Sequence, residues 1–173
     1  ANGRTWQEAA VDLKTHTTGM MFLGTFVSEQ FADALDDLDF FTYPALNDEF
    51  GTDSIDAPID GFMMAASPEN EAGAKEVLAY LGTPEAEITF LTANPGSVAA
   101  HDEADTSGYT ALQTKSAELI AASANIAQFL DRDTNPEFAS NVMGDALADF
   151  IADPGSIDSI LSDVEDRKKV IFG

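Results

Sequence analysis

Three short apolar runs stand far apart in a chain otherwise patterned for helices: Thr18-Gly19-Met20-Met21-Phe22-Leu23-Gly24, Asp39-Phe40-Phe41-Thr42-Tyr43-Pro44, and the stretch from Ile59 to Ala66. The first is bounded by two glycines and the last is followed by helix-start residues, so both read as buried strands. The middle run is aromatic and β-rich, with a proline marking its end or edge. A lone strand leaves a row of backbone N–H and C=O groups without partners, and burying such groups is costly. Strands this sparse need partner strands from elsewhere. The pattern fits an α/β, helix-rich fold of two lobes whose remaining strands lie in upstream sequence, with this segment crossing between them.

The helices are punctuated clearly. Thr5 to Thr17 carries Trp6, Ala9, Ala10 and Leu13 at helical spacing, which predicts a short amphipathic helix. A second helix is expected from Thr25 to Ser28 onward, carrying Phe26, Phe31 and Leu35 and dissolving in Asp36-Asp37-Leu38-Asp39. Asn47 to Ala57 is polar and turn-like and reads as a loop. After the third apolar run, Ser67 can accept orphan N–H groups, Pro68 suits the first helical position, and Glu69 and Glu71 favour the positive helix end. This is the sharpest helix start in the sequence. Ala74, Val77, Leu78 and Leu81 supply its expected buried stripe, and Gly82 its left-handed stop. Thr83-Pro84-Glu85 restarts a helix that ends near Thr92, and Ala93-Asn94-Pro95-Gly96-Ser97 is a turn. Further helices are expected at 106–124, 136–152 with Asn135-Pro136 as its cap pair, and 157–169.

Charge narrows the setting. There are 31 acidic residues against 8 basic ones, a net charge of −23 on 173 residues, which would strain a compact domain by self-repulsion. Multimolar salt shortens the Debye length to about 3 Å and removes most of that penalty, so a salt-adapted protein is expected. The acidic residues are spread along the chain, as on a solvated surface, and 45% hydrophobic content with 12 Phe excludes an acidic disordered segment. Such a surface repels phosphate backbones and anionic membranes, so nucleic acid is excluded as a partner. With no Cys, disulfides, thiolate nucleophiles and thiolate metal sites are excluded. No apolar run is long enough to span a bilayer. Ala1-Asn2-Gly3-Arg4-Thr5-Trp6 reads like the inside of a domain, and any signal or anchor is expected upstream.

No catalytic constellation rises above this acidic background. His16 and His101 are the only histidines, far apart and without the spacing of a metalloprotease motif or a nucleophile elbow, and both read as surface residues. Asp131-Arg132-Asp133-Thr134-Asn135 begins like a calcium loop, but Pro136 stands where the sharp turn needs Gly and Val142 where a bidentate Glu is needed. Asp60 is the sharper residue, because an unpaired carboxylate within an apolar run is costly. It is either a ligand-contacting group or a strand-end carboxylate satisfied by backbone N–H groups. Phe62, Met63 and Met64 beside it read first as core.

The order of these segments resembles the C-terminal half of the solute-binding proteins that serve sugar ABC importers. Trp6 with its helix, then Gly19-Met20-Met21-Phe22-Leu23-Gly24-Thr25-Phe26, is similar to the family's helix, strand and Gly-x-Trp-like turn. Tyr43-Pro44 resembles its return strand, and Ile59-Asp60-Gly61-Phe62 with the Ser67 to Leu81 helix the strand and helix that follow. Pro95-Gly96-Ser97-Val98-Ala99-Ala100, with Tyr109 and Gln113 beyond, is similar to a segment of the glucose- and galactose-binding branch. The resemblance covers nearly the whole chain.

The resemblance implies a two-lobed periplasmic-binding-protein-like fold, of which residues 1–173 form a C-terminal portion contributing to both lobes and the hinge. Sugar would bind as the lobes close, without reaction and without a cofactor or metal. It further implies a monomeric receptor, extracellular and associated with the cell surface, that hands a monosaccharide to an ABC permease. Phe26 stands where the family often has a sugar-stacking Trp, and is either a stacking ring or a core residue of the following helix. Thr25 could donate to a sugar hydroxyl or cap that helix. Asp60 matches a sugar-contacting Asp, Phe62 follows it, and Asp131 falls near a ligand-contacting loop. A carbohydrate-active enzyme and a purely structural or interaction domain remain as alternatives, the first predicting turnover and the second neither binding nor turnover.

Overall fold

The computed structural model describes residues 3–31, 33–49, 51 and 53–173. Ala1 and Asn2 of the expected interior-like opening, Ala32 of the expected second helix, and Phe50 and Thr52 of the expected loop lie outside the described residues.

In chain order the elements are α1 (Trp6–Lys14), 3-10 helices at Thr25–Phe31 and Leu35–Asp37, and β1 (Ser54–Asp56), followed by α2 (Glu71–Leu81) and α3 (Pro84–Ala93). A 3-10 turn at Thr106–Gly108 precedes α4 (Ala111–Ala122), β2 (Asn125–Ala127) and α5 (Leu130–Asp133). A π-helix at Phe138–Met143 runs into α6 (Gly144–Ala152), and a 3-10 turn at Pro154–Ser156 leads to α7 (Ile157–Phe172). β1 and β2 pair as a two-stranded sheet.

Local chemistry explains most of the helices. Thr5 and Thr110 each close a capping box, with Glu8 and Gln113 as the reciprocal partners. Thr83 caps α3 by accepting from the Ala86 N–H, with Pro84 at its first turn as expected. Asn135 Oδ1 accepts from the N–H groups of Glu137 and Phe138, so the expected Asn-Pro cap pair holds. Gly144 N–H reaches back five residues to the Ala139 carbonyl, which makes the first half of that helix a π-helix.

Several expectations are corrected. The start of α2 lies three residues later than Ser67: Asn70 is the N-cap, its side chain accepting from Gly73 N–H at 3.0 Å. Gly82 closes α2 at φ −84°, so its stop is not left-handed. None of α2 is buried, and Val77 is 57% exposed. The expected second helix is a 3-10 segment followed by a separate 3-10 turn. The runs at 20–24, 39–44 and 59–65 have no regular secondary structure, and Phe22, Phe41, Ile59 and Met63 are exposed. The reason is the one the sequence implies: extended backbone becomes a strand only against a partner ladder, and these runs meet none among the described residues. β1 falls inside the expected loop, and β2 was not anticipated.

The chain divides into two compact units. One comprises Asp56–Pro58 and Ala127 to Gly173; the other comprises Gly3–Ile55 and Ile59–Ile126. The first is helical, with Phe138 and Val142 buried and Phe138 edge-on to Phe172 at 5.3 Å. There Arg167 donates to the Asn141 carbonyl at 2.7 Å and stands 3.7 Å from both Asp145 and Asp163. The second unit packs α1 against the Thr25–Phe31 helix and buries Ala10, Ser28, Phe31, Ala86, Leu91, Gln113 and Ser116.

Candidate functional site

The second unit brings the expected Thr25-Phe26 pair and the Gly96-Ser97 segment together across 71 positions of sequence. Thr25 Oγ1 donates to the Gly96 carbonyl at 2.8 Å. Its proton is thereby committed, so toward a ligand this hydroxyl offers lone pairs and no donor. Gly96 lies so close to the first turn of the 3-10 helix that a Cβ there would sit 2.7 Å from Phe26 Cα and 3.1 Å from Ser28 Oγ. Only glycine permits that approach without moving main chain.

The Gly96-Ser97 segment is itself held on its far side. Gln113, 5% exposed, donates through Nε2 to the Ser97 carbonyl at 3.0 Å while its Oε1 accepts from Thr110 N–H. Tyr109 Oη accepts from Ala99 N–H at 2.6 Å. The Glu87 carboxylate takes the N–H groups of Ala100 and His101, one on each oxygen, at 2.7 and 3.0 Å. Tyr109 and Gln113 thus anchor the loop whose residues they follow in sequence. A turn whose amides and carbonyls are satisfied by buried or half-buried side chains is a rigid platform for what rests on it.

Phe26 is 39% exposed, so its ring is partly open, unlike the buried Phe31 of the same helix. Its ring stands edge-to-face with Trp6 from α1, centroids 5.2 Å apart at 79°. Ser28 Oγ is buried and has no protein hydrogen-bond partner among the described residues.

The other expected contact residues lie elsewhere. Asp60 is exposed on the 59–65 run. Phe62 is 66% exposed and, with Met63 and Met64, lines an open groove of about 310 Å³ against Gly73, Val77, Leu78 and Leu81 of α2. The expectation that Phe62 and Met63 are core is corrected: Met63 is 92% exposed, because the run that carries them has no covering ladder. Asp131 is exposed on α5 and belongs to the other unit. His16 is exposed, with Nε2 2.5 Å from Asp37, and His101 is half-buried in the turn before Asp105.

Electrostatics here are those of exposed pairs. The Lys115 ammonium, bonded to Asp39 at 2.6 Å, holds that carboxyl below its ordinary value, helped by the Phe40 N–H. Arg4 does the same to Asp12, and Lys14 to Asp33. Among the described residues no carboxylate is buried and no group of three or more His, Asp or Glu is placed to hold a metal ion. No described helix is long and apolar enough to cross a membrane.

No protein-family model and no curated protein matches this chain. Among solved structures, the bacterial solute receptor AcbH matches it with a TM-score of 0.93 and 41% sequence identity. The match covers 100% of this chain and 45% of that receptor, so the chain spans just under half its length. AcbH has an exclusive substrate preference for β-D-galactopyranose. This chain has the fold of part of a solute receptor. Its helix-rich α/β architecture is part of a periplasmic-binding-protein-like fold, as the resemblance implied.

The residues that sequence reasoning missed are those that locate Phe26. In sequence Trp6, Gly24 and Gly96 carry helix periodicity, punctuation and the resemblance, and none of these assigns them a contact with Phe26. A glycine beside an aromatic, followed far downstream by a second glycine in a turn, is a weak signal of close approach and becomes specific only when the fold joins them.

Proposed function

We propose that this chain is part of an extracellular sugar receptor that binds a monosaccharide of the galactopyranose class and delivers it to an ABC importer permease. The carrying observation is the match over the whole chain to a galactopyranose-preferring receptor at 41% identity. Residues 1–173 are then a C-terminal portion contributing to both lobes, a reading supported by the chain's passage between its two units near Ile55–Ile59 and Ile126–Ala127.

Recognition in such a site needs no reaction. Carboxylates and amides satisfy sugar hydroxyls, because a buried unpaired hydroxyl costs about 1–3 kcal/mol, and aromatic rings cover the apolar pyranose face. Phe26 takes the stacking role, supported by its partly open ring. Thr25 accepts from a sugar hydroxyl, Asp60 accepts from one or two more, and Phe62, two residues on, adds an apolar contact. The chain's net charge of −23 and its unburied carboxylates support a salt-adapted, monomeric protein whose solubility rests on surface charge.

The test is calorimetric titration of the complete protein in molar salt against galactose, glucose, xylose and maltose. Saturable binding of galactose without turnover is expected. Asp60→Ala should weaken it about 10- to 100-fold, the worth of hydrogen bonds to a charged group, with little change in fold. Turnover of a glycoside would move the protein to the enzyme class, and no heat with any sugar would remove the carbohydrate reading.

A further inference from the structure

We infer that Trp6, Gly24 and Gly96 form a three-sided seat that fixes the Phe26 ring for ligand stacking, so that three residues with no ligand contact set the affinity. The inference rests on the proposed stacking role of Phe26. Each side of the seat acts on a different part of the residue.

Trp6 acts through a ring-to-ring contact. Its T-shaped contact at 5.2 Å is the arrangement that aromatic quadrupoles favour. Gly24 acts on the ring body: a Cβ at that position would meet Phe26 Cε1 at 2.6 Å and Cδ1 at 2.9 Å. Those are side-chain atoms, so a methyl group at 24 turns the ring without displacing main chain. Gly96 acts on the backbone, through the 2.7 Å approach to Phe26 Cα and the hydrogen bond from Thr25. A ring restrained by Trp6, by the close approach at Gly24 and through its backbone is fixed in orientation, and its exposed part is what a ligand meets. Preorganisation of this kind raises affinity by removing the cost of ordering the ring on binding.

Gly24 is the informative position. It has no left-handed φ, and the three atoms nearest to a Cβ there all belong to the Phe26 ring, so alanine is tolerated by the backbone conformation and acts first on that ring. A merely structural role for these residues would lower thermal stability and leave affinity untouched. A positioning role does the reverse at Gly24.

The experiment measures D-galactose affinity and Tm for the complete protein carrying Phe26→Ala, Gly24→Ala, Trp6→Leu and Trp6→Phe. Phe26→Ala should lose at least tenfold in affinity. Gly24→Ala should lose about tenfold with Tm unchanged, and Trp6→Leu a similar amount. Trp6→Phe, which keeps an aromatic edge, should recover most of the loss. If Phe26→Ala leaves affinity unchanged, the stacking reading falls and takes the seat with it. If Phe26→Ala weakens binding while Gly24→Ala and Trp6→Leu do not, stacking stands and the seat is overturned. Loss of Tm without loss of affinity in Gly24→Ala overturns it equally.

Discussion

The extended stretches between residues 20 and 64 and the helices from Glu71 onward satisfy their backbones in opposite ways. Each helix closes its hydrogen bonds within itself, and Asn70, Thr83, Thr110 and Asn135 each accept N–H groups of the turn they begin. The extended stretches have no such local solution. The 39–44 run is held by Lys115, which reaches from α4 to Asp39 and the Phe40 carbonyl. Large apolar residues of these stretches stay open, with Phe22 at 83% and Met63 at 92% exposure. The lesson is that helical order in this chain is intrinsic, while strand order depends on a neighbour. Among the described residues the one strand pairing is that of β1 with β2.

The strongest way to break that contrast is to compare two phenylalanines. Phe31 is 1% exposed and anchors the 3-10 helix that ends the first extended run against α1, so Phe31→Ala should cost about 3–5 kcal/mol in urea unfolding of the complete protein. Phe22 is open here. If the remainder of a receptor covers the run, Phe22→Ala in the complete protein should cost about 2–4 kcal/mol as well. A change within about 0.5 kcal/mol would mean that the run is true surface and that its exposure owes nothing to a missing partner.

The same contrast decides what was legible in the sequence. Capping residues and 3.6-residue spacing are local, so α1, α3, α6 with its π-helical start, and α7 lie within a few residues of their expected bounds, while α4 starts at Ala111, five residues later than expected. The three apolar runs were recognised as strand-like and as needing partners, but the ladder that would make them strands lies in no described residue. The start of α2 was misplaced because Ser67-Pro68 and Asn70 both carry start signals, and spacing alone does not rank two competing caps. At the site, Thr25, Phe26, Gly96, Tyr109 and Gln113 could be listed from resemblance. Their joining, and the part of Trp6 and Gly24 in it, required the fold to bring residues 71 apart into hydrogen-bond distance.

A second, smaller effect sharpens the helical side. Asn70→Ala removes the side-chain acceptor of the Gly73 N–H and should destabilise by about 1 kcal/mol. Ser67→Ala should change stability by no more than a few tenths, because Ser67 lies outside the helix. Equal losses in thermal melts would mean that the helix starts where its proline suggested.

The smallest effect concerns the clasp on the extended side. Lys115 holds the Asp39 carboxyl below its ordinary value of 3.8, first by the hydrogen bond and then with help from the Phe40 N–H. A carboxyl depressed in the folded state contributes stability above its unfolded pKa and loses that contribution as pH falls through the folded value. The clasp should therefore be intact at pH 5 and above, and should open only below the pH at which ordinary aspartates protonate. Both side chains are well exposed, at 44% for Lys115 and 76% for Asp39, so solvent screens the pair and the change in melting temperature should be slight. The sensitive measurement is the Asp39 carboxyl midpoint by NMR titration, expected below 3.8 and returning to or above it in Lys115→Met. The direction carries the information. A net charge of −23 opposes the ionisation of Asp39, so a midpoint below its ordinary value requires a local partner strong enough to offset that field. A raised midpoint would mean that the field wins and that the Asp39–Phe40 run is not clasped to α4 in solution.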